Sequence, residues 1–337
     1  MSGLAKGFSS DGFFENQARD PGRGNRQNYG SRGHHPIVND TFVVVVNPAA
    51  GGGRSRKLVG PALERLRAGG LKLEVVETAR PGDATQLAGK YYERGYRRFI
   101  AVGGDGTSYE IVNGLFPQAE SADPPQLGFL PLGTGNSFLR DFTKQGVEGA
   151  MEALLGRREQ ACDVMRMRHR TGVIHYINLL SVGFAADVNA TRSRSFAGWG
   201  EPGYFLSIFL RLAQLRRRPF PLRVDGEPNA DMRRCLFLTF NNSKYTGGTM
   251  MIGPNAEVDD GLIEYVRWGP IGRIGLIRNL PTLYDGTHVK HPLAERRPAR
   301  RIEFELDGPV DVMVDGEALT LHLEALDVLP SALRVVV

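Results

Sequence analysis

Apolar and polar positions alternate in blocks over residues 41 to 142, and these blocks predict alternating strands and helices. Phe42–Val46 is a continuous apolar run, as expected for a strand that is buried on both faces. Apolar residues then recur at helical spacing from Leu58 to Leu66, and Asp83–Arg94 predicts a second helix with Asp83 as its N-cap. The same reading predicts strands at Leu71–Glu77, Phe99–Val102 and Leu127–Leu130, and helices at Gly106–Leu115 and Gly135–Phe142. Short connections between these elements predict a parallel sheet with helices on both faces.

The pattern changes near residue 162, where short apolar runs follow one another with few helical segments between them. Helices are predicted only at Gly203–Leu215 and Arg273–Tyr284. Strands are predicted at Cys162–Arg168, Val173–Leu180, Cys235–Phe240, Leu262–Val266, Ile302–Leu306, Val310–Val314, Leu319–Leu323 and Leu333–Val337. This spacing predicts a β-rich, mostly antiparallel, sandwich-like second domain over residues 163–337. Residues 41–162 would form the α/β domain, and residues 1–40 lack apolar periodicity and read as a disordered tail.

Composition narrows the class of protein. The 337 residues are 41% hydrophobic and 23% charged, which is typical of a globular chain of about two domains. No apolar run reaches the length of about 18 residues that a membrane-spanning helix needs. The first residues do not resemble a secretory signal, and the two cysteines exclude a disulfide framework. We therefore expect a protein of a reducing compartment, the cytoplasm, without a transmembrane segment.

The formal net charge at pH 7 is +5, which is modest, and the sequence contains no RNA- or DNA-reading motif. A nucleic-acid partner is therefore not expected. Two basic runs, Arg216–Arg218 and the arginines within residues 296–301, could contact phosphates or an anionic membrane surface. For either run alone, a solvated protein face is the favoured interpretation.

The sharpest motif is GGDGT at residues 103–107, which follows a predicted strand and opens a predicted helix. Glycines in this position let the backbone approach a polyphosphate, and the N–H groups of a helix start attract anions. Thr107 can donate its hydroxyl to a phosphate oxygen. Asp105 would repel phosphate, so its presence indicates a Mg²⁺ ion or a water bound to that ion. The alternative interpretation is a tight turn with a capping aspartate.

Two further glycine-rich turns follow predicted strands, NPAAGGG at residues 47–53 and GTGN at residues 133–136. Each alone is as typical of an ordinary loop as of a nucleotide-binding loop, and no Walker A motif is present. Ligands of parallel sheets bind at the carboxyl ends of the strands. Three such turns therefore predict a nucleotide cleft.

Several motifs together resemble the diacylglycerol kinase catalytic family, which includes bacterial lipid kinases, sphingosine kinases and ceramide kinases. In chain order they are VVVNPAAGGG (44–53), ETARPGDA (77–84), GGDGT (103–107), LGTGNSFLRD (132–141), GFAADV (183–188), YTGGTMMIGPNAEVDDGL (245–262) and VDGE (314–317). The resemblance implies an α/β nucleotide domain related to those of NAD kinases and phosphofructokinases. It also implies a β-rich second domain whose last strands pack back on the first, and an ATP- and Mg²⁺-dependent lipid kinase.

The resemblance also implies site residues. The ATP site would comprise Asn47, Gly51, Gly52, Gly53, Thr78, Gly104, Gly106, Thr107 and Thr134. Glu317 would be the general base, with Asp105, Asp315 and Arg140 as further catalytic residues. Without the family, Asp315-Gly316 is simply a hairpin turn signal. Glu257, Asp260 and the Leu262 carbonyl match a Mg²⁺ or Ca²⁺ site of some members, and an acidic loop without metal explains them equally well.

One position departs from the bacterial pattern, in which GTGN is followed by an aspartate near the acceptor hydroxyl. Here that residue is Ser137, which can hydrogen-bond but carries no charge, so the identity of the acceptor lipid is open. Asp141 lies about one helical turn further on. A lipid acceptor implies peripheral contact with the inner membrane surface. Tyr204–Leu212 followed by Arg216–Arg218 could provide that contact, and a buried core helix is the alternative.

Three functional hypotheses remain at this point. The first is a lipid kinase acting on diacylglycerol, a sphingoid base or ceramide. The second is a kinase of a soluble acceptor, as in NAD kinases, although the DGE motif argues against it. The third is a catalytically silent nucleotide-binding membrane adaptor, which the intact GGDGT motif disfavours. The sequence leaves self-association into a homo-oligomer open.

Overall fold

Four parallel strands form the centre of the first part of the chain. The computed structural model describes residues 40–133, 136–195, 210 and 214–337. Their order is β2 (Lys72–Glu77), β1 (Thr41–Val46), β3 (Arg98–Val102) and β4 (Gln126–Leu130). Phe42–Val46 is buried throughout, which explains why this strand is apolar at consecutive positions.

Helices cover both faces of this sheet, as predicted. They are α1 (Arg54–Ala68), α2 (Asp83–Glu93), α3 (Asp105–Leu115) and α4 (Gly146–Gly156). Val43 and Val45 pack in one apolar cluster with Ala84 of α2 and Ile111 of α3. The intervening strand positions pack in a second cluster with residues of α1 and α4. Alternate side chains of β1 thus enter opposite helical layers.

Two local predictions are wrong, and one helix was not predicted. In the described part of Gly135–Phe142 only a 3-10 turn forms, at Phe138–Asp141, whereas the longer helix α4 was not predicted. Asp83 does not cap α2, because the N-cap is Gly82 in a left-handed conformation. The Asp83 carboxylate accepts the N–H groups of the preceding turn instead, and Glu110 of α3 accepts those of Gly82 and Ala84. A distant side chain has taken over the capping role.

The second part is β-rich, with few helices among its described residues. The strands are β5 (Glu159–His169), β6 (Gly172–Tyr176), β7 (Leu179–Gly183), β8 (Arg218–Pro219), β9 (Leu222–Val224), β10 (Arg234–Cys235), β11 (Phe237–Asn241), β12 (Tyr245–Thr246), β13 (Met250–Met251), β14 (Ile263–Trp268), β15 (Ala294–Ala299), β16 (Arg301–Phe304), β17 (Val310–Val314), β18 (Glu317–Leu321) and β19 (Leu323–Val336). The helices are α5 (Phe184–Ser195), which was not predicted, α6 (Arg273–Asn279) and α7 (Thr282–Asp285). The predicted helix Arg273–Tyr284 is therefore split near Pro281, which begins a new turn.

Two sheets enclose the second apolar core. One is antiparallel, with the order β15-β14-β11-β7-β17-β18. The other is the outer part of the large sheet, in which β5, β6, β9, β16 and β19 continue beyond β4. Tyr265 and Phe240 of the first sheet share a buried cluster with Met165 and Leu326 of the second. The predicted α/β domain with an antiparallel sandwich is confirmed.

Strand β19 joins the two sequence regions. It pairs antiparallel with β5 along its length and with β16 near its start, and its end, around Arg334, pairs parallel with β4 at Gln126. The domain division at residue 162 stays a prediction, and this position lies within β5. Residues 1–39 and most of Gly203–Leu215, including the proposed membrane contact at Tyr204–Leu212, lie outside the described residues. Within the described ranges, no helix has the length and hydropathy needed to cross a bilayer.

Candidate active site

The three glycine-rich turns meet at the carboxyl ends of β1, β3 and β4. The backbone N–H of Asn47 donates to the Val102 carbonyl at 2.9 Å, and that of Gly103 donates to Leu130 at 3.2 Å. Gly133 in turn donates to the Gly103 carbonyl at 2.9 Å. Backbone hydrogen bonds thus join neighbouring strand ends into one edge, as expected for the ligand-binding side of a parallel sheet.

Close packing explains why glycines occupy these turns. A Cβ on Gly133 would lie 2.6 Å from the Gly104 nitrogen, and one on Gly51 would lie 2.7 Å from the Leu132 oxygen. Gly51, Gly52 and Gly53 also all have positive φ, which residues with a Cβ rarely adopt. The surface of this edge is therefore largely backbone, and α3 begins at it, where the N–H groups of Thr107 and Ser108 donate to the Gly104 carbonyl at 3.0 and 3.4 Å.

The polar side chains predicted for the ATP site lie along this edge. The Asn47 amide donates to the buried Thr107 hydroxyl at 3.5 Å, while its carbonyl accepts the Ala49 N–H at 3.1 Å. Thr78 follows β2 and donates its backbone N–H to Val46 at 2.9 Å. The structure brings Asn47, Thr78 and Thr107 together around the end of β1. Thr134 lies outside the described residues.

Asp105 opens α3 beneath the turns. Its carboxylate accepts the Ser137 N–H at 2.9 Å, and the Ser137 hydroxyl accepts the Gly248 N–H at 2.9 Å. Burial raises the pKa of Asp105, and hydrogen bonds from Ser137 and Phe138 oppose that shift. Ser137 therefore connects the GGDGT segment to the β12–β13 turn. This contact was not foreseen, because Gly248 is remote in sequence.

Asp141 fixes the same 3-10 turn to another loop. Its carboxylate accepts the Ser243 hydroxyl at 2.5 Å and the Lys244 N–H at 3.0 Å, and the Lys244 ammonium lies 3.7 Å away. Burial raises the pKa of Asp141, and these partners oppose that effect. Both oxygens face residues 243–244, so Asp141 is engaged in holding this loop rather than taking over the position of Ser137.

Glu317 lies against the start of α3. A Cβ on Gly106 would lie 2.6 Å from Oε1 of Glu317, so a larger residue at position 106 would displace this carboxylate. The residue is exposed overall, while its carboxyl end rests on the helix backbone. Partial burial and then the charge of Glu110 raise the pKa of Glu317. The structure thus brings the DGE and GGDGT motifs together.

Asp315 supports the hairpin that carries Glu317. Its buried carboxylate accepts three backbone N–H groups, from Ile177 at 3.1 Å, Asn178 at 3.0 Å and Leu179 at 2.9 Å. Burial raises the pKa of Asp315 to about 7, against the effect of these donors. Both Asp315 and Gly316 have positive φ, consistent with the hairpin signal in the sequence. A carboxylate engaged in this way positions the hairpin and has no open side toward a substrate.

The sequence analysis missed two residues beside Glu317. Tyr109 of α3 has a raised pKa because it is buried and because the charges of Asp315 and Glu317 are near. Glu110 accepts the Gly82 N–H at the start of α2, and its negative charge also raises the pKa of Glu317. Each follows GGDGT by a few residues, and their position on the first turns of α3 was the signal that could have identified them.

The remaining predicted residues lie apart from this cluster. Arg140 is exposed on the 3-10 turn, and Glu257 and Asp260 are exposed in the loop before β14. Asp260 accepts the N–H of Leu262 at 2.9 Å, and burial and neighbouring acids raise the pKa of its carboxyl group. In the portion of the chain that the structure describes, no three His, Cys, Asp or Glu side chains are grouped to hold a metal ion. The metal site at this loop stays a prediction.

The basic runs are largely engaged in ion pairs. Arg296 forms a bidentate pair with Glu264, and the Arg297 guanidinium lies 2.7 Å from Glu227. Arg218 likewise lies 2.6 Å from Asp187. These arginines stabilise neighbouring strands and turns, which favours the simpler interpretation of the runs as parts of the protein surface.

Solved structures share this architecture. One from Bacillus anthracis str. Sterne, named a diacylglycerol kinase, superposes with a TM-score of 0.65 at 20% identity and covers 88% of this chain and 96% of its own. Another from the same organism gives a TM-score of 0.71 at 21% identity, over 88% and 95% of the two chains. At these identities the likeness concerns the fold.

Curated relatives extend over most of the chain. A Mycobacterium tuberculosis (strain CDC 1551 / Oshkosh) protein named diacylglycerol kinase is 27% identical over 296 residues, which cover 86% of this chain and 93% of the relative. A Staphylococcus aureus (strain MRSA252) protein of the same name is 29% identical over 278 residues, or 81% and 85% of the two chains.

Two family models match in sequence order. Residues 41–167 match the diacylglycerol kinase catalytic domain, and residues 178–337 match the YegS C-terminal NAD kinase beta sandwich-like domain. The boundary between the matches falls at β6–β7, next to the turn that Asp315 binds. From these two matches, and from the motifs assembled at the strand ends, we conclude that the chain belongs to the diacylglycerol kinase catalytic domain family.

Proposed function

We propose that this protein is an ATP- and Mg²⁺-dependent lipid kinase that phosphorylates a lipid hydroxyl, with diacylglycerol as the first candidate acceptor. The contact between Glu317 and Gly106 carries the proposal, because it puts a carboxylate with a raised pKa beside the GGDGT helix start. The names of the curated relatives support diacylglycerol as the acceptor to test first.

The residues fit a nucleotide polyphosphate. Gly51 and Gly133, whose Cβ would lie less than 3 Å from backbone atoms, line the edge formed by the turns after β1 and β4. Such an edge presents N–H groups and a helix N-terminus, which bind phosphate oxygens without the bulk of side chains. Thr107 adds a hydroxyl at the same edge.

The residues also fit Mg²⁺ that arrives with the nucleotide. Asp105 and Glu317 lie close to the GGDGT backbone, and Asp315 is near enough for the Asp105 charge to raise its pKa further. Mg²⁺ is commonly held by one or two carboxylates together with substrate phosphates, rather than by an all-protein cage. We therefore assign Asp105 as the carboxylate that would face the ion.

Within this arrangement the protein's residues have separate tasks. When bound, MgATP supplies the transferable phosphoryl group and the charge neutralisation that its transfer requires. The N–H groups at the start of α3 hold the phosphates in place. Asp315 fixes the position of the β17–β18 hairpin, which carries Glu317. Glu317 accepts the proton of the lipid hydroxyl, for which an ionised carboxylate with a raised pKa is suited.

Phosphate transfer from labelled ATP to lipids in mixed micelles tests this function. Glu317→Ala should lower the rate by roughly 10²- to 10⁴-fold, the usual contribution of a general base. Glu152→Ala, at an exposed position on α4, is the matched control and should retain the native rate. Chelation of Mg²⁺ should abolish transfer, and added Mg²⁺ should restore it.

Two results would contradict the proposal. Absence of a labelled lipid from a panel of diacylglycerol, sphingoid base and ceramide, with ATP binding intact, would favour a silent adaptor or a soluble acceptor. Transfer that is unaffected by Glu317→Ala would remove Glu317 from the mechanism.

A further inference from the structure

Residues 271–293 carry a cluster of exposed apolar side chains. On and beside helices α6 and α7, Ile274 is 70% exposed, Ile277 52%, Leu280 39% and Tyr284 55%. We call these four residues the apolar face. Elsewhere in the described chain, exposed large apolar residues such as Val173 and Met232 are far apart in sequence. Scattered apolar residues need no explanation, but a contiguous cluster indicates an interaction surface.

Packing on the opposite side holds this face outward. Leu276 of α6 and Leu283 of α7 are buried in the cluster that contains Phe237 and Trp268. His288, which follows α7, is also buried and packs beside Trp268 with ring centroids 5.7 Å apart. Because these side chains anchor both helices, the apolar face cannot turn inward without losing the buried cluster.

The charges around the apolar face are mainly positive. Arg273 and Arg278 on α6 and Lys290 beyond α7 are exposed. The acid within α6 and α7 is Asp285, whose carboxylate accepts the N–H and hydroxyl of Thr287. An apolar surface with a cationic rim is complementary to the acyl region and anionic headgroups of a lipid bilayer.

The end of α7 packs beside the β12–β13 turn, which contacts the candidate active site. A Cβ on Gly286, at the end of α7, would lie 2.8 Å from Pro254 and 3.0 Å from the Met251 sulfur. Met251 belongs to β13, and the β12–β13 turn contains Gly248, which donates to Ser137. A surface bound through α6 and α7 would therefore lie beside the loop that contacts the GGDGT segment.

We propose that the apolar face and its basic rim dock this protein on an anionic lipid bilayer, beside the β12–β13 turn that contacts the candidate active site. The biological purpose rests on the proposed lipid kinase function, whereas the docking itself is a binding property. Its location differs from Tyr204–Leu212, the membrane contact expected from the sequence. Insertion of Ile274 and Ile277 into the bilayer would supply the apolar part of the binding free energy. Arg278 and Lys290 would provide the preference for anionic headgroups.

Vesicle cosedimentation of the full chain without ATP tests the docking directly. The probes are phosphatidylcholine vesicles and vesicles of phosphatidylcholine mixed with phosphatidylglycerol. Ile274→Ser/Ile277→Ser should weaken partitioning by at least about tenfold, because each isoleucine would lose several buried CH₂-equivalents. Arg278→Gln/Lys290→Gln should weaken partitioning by about fivefold for each charge removed, and only on the anionic vesicles. Val173→Ser/Met232→Ser, which alters equally exposed apolar residues elsewhere, should bind as the native protein does.

Two further measurements separate docking from catalysis. With a short-chain, monomerically dispersed diacylglycerol, Ile274→Ser/Ile277→Ser should retain the native rate, since no bilayer is involved. Native binding to vesicles that is lost in this variant supports the docking surface even if no lipid is ever phosphorylated. In that case the lipid kinase proposal fails, while the docking proposal stands.

Two results would overturn the docking proposal. One is unchanged vesicle partitioning of Ile274→Ser/Ile277→Ser. The other is a native dimer, measured by light scattering, that this variant converts to monomers, because the apolar face would then be a contact between copies of the chain.

Discussion

Replacing Gly106 by alanine should lower the catalytic activity without lowering the stability of the fold. In the structure, a Cβ at this position would lie 2.6 Å from Oε1 of Glu317, and ordinary van der Waals contact begins near 3.4 Å. The glutamate side chain is flexible, so the carboxylate must retreat by about 0.8 Å while the backbone stays in place. Misplacement of a reacting group by about 1 Å can cost about 100-fold in rate, and we expect a loss of that order in kcat/KM.

The same substitution should not weaken the fold. Alanine is favoured over glycine in a helix by up to about 1 kcal/mol, and Gly106 lies in the first turn of α3, where the gain is smaller. We therefore expect the free energy of unfolding, measured with urea, to be unchanged or slightly increased. Gly156→Ala on α4 is the matched control, because its nearest contact would be 3.7 Å away, and it should retain native activity.

A double-mutant cycle identifies the cause of the loss. In a Glu317→Ala background, Gly106→Ala should cost little further activity, since the displaced carboxylate is already absent. The KM for ATP should stay near the native value. An equal loss in both backgrounds would refute the reasoning and would indicate that the new methyl group blocks the phosphates. Native kcat/KM in the single variant would also refute it.

Four other outcomes follow from the site. Asp315→Asn keeps one acceptor oxygen but sets an amide donor against a buried N–H, so urea denaturation should show a loss of about 1–3 kcal/mol. Burial raises the pKa of Asp315 to about 7, so between about pH 4 and pH 7 the folded state holds a proton that the unfolded chain releases. The free energy of unfolding should therefore fall as pH rises through this range. In Asp315→Asn this pH dependence should be absent. Ser137→Ala removes the acceptor of the Gly248 N–H and should raise the KM for lipid more than that for ATP in steady-state assays. Since Glu317 must be ionised to accept a proton and Glu110 raises its pKa, kcat/KM should rise with pH through that pKa, and Glu110→Gln should move the rise to lower pH.

Features with a local physical cause were predictable from the sequence. The apolar run Phe42–Val46 predicted a strand covered on both faces, and both of its faces are buried under helices. The approach of the GGDGT glycines to a polyphosphate stays a prediction. The hairpin signal at Asp315-Gly316 does match the structure, in which both residues have positive φ. In such cases the residue types and their order are sufficient, because the constraint acts within a few residues.

Features that depend on distant partners were not predictable. Asp83 resembles an N-cap, yet Glu110 of α3 accepts the N–H groups at the start of α2. The roles of Asp315 and Ser137 likewise depend on contacts with β7 and the β12–β13 turn, which no local pattern reveals. The sequence therefore predicts which residues gather at the site more reliably than it predicts what each residue holds.

The position of β19 has a consequence for biosynthesis. Arg334 pairs with Gln126, so the edge of β4 gains its neighbouring strand only after almost all of the intervening chain has been made. Domains commonly fold while synthesis proceeds, but here the parallel sheet must keep an open strand edge until β19 leaves the ribosome. Such long-range pairing slows folding, and an isolated fragment ending before β19 would expose this edge to aggregation.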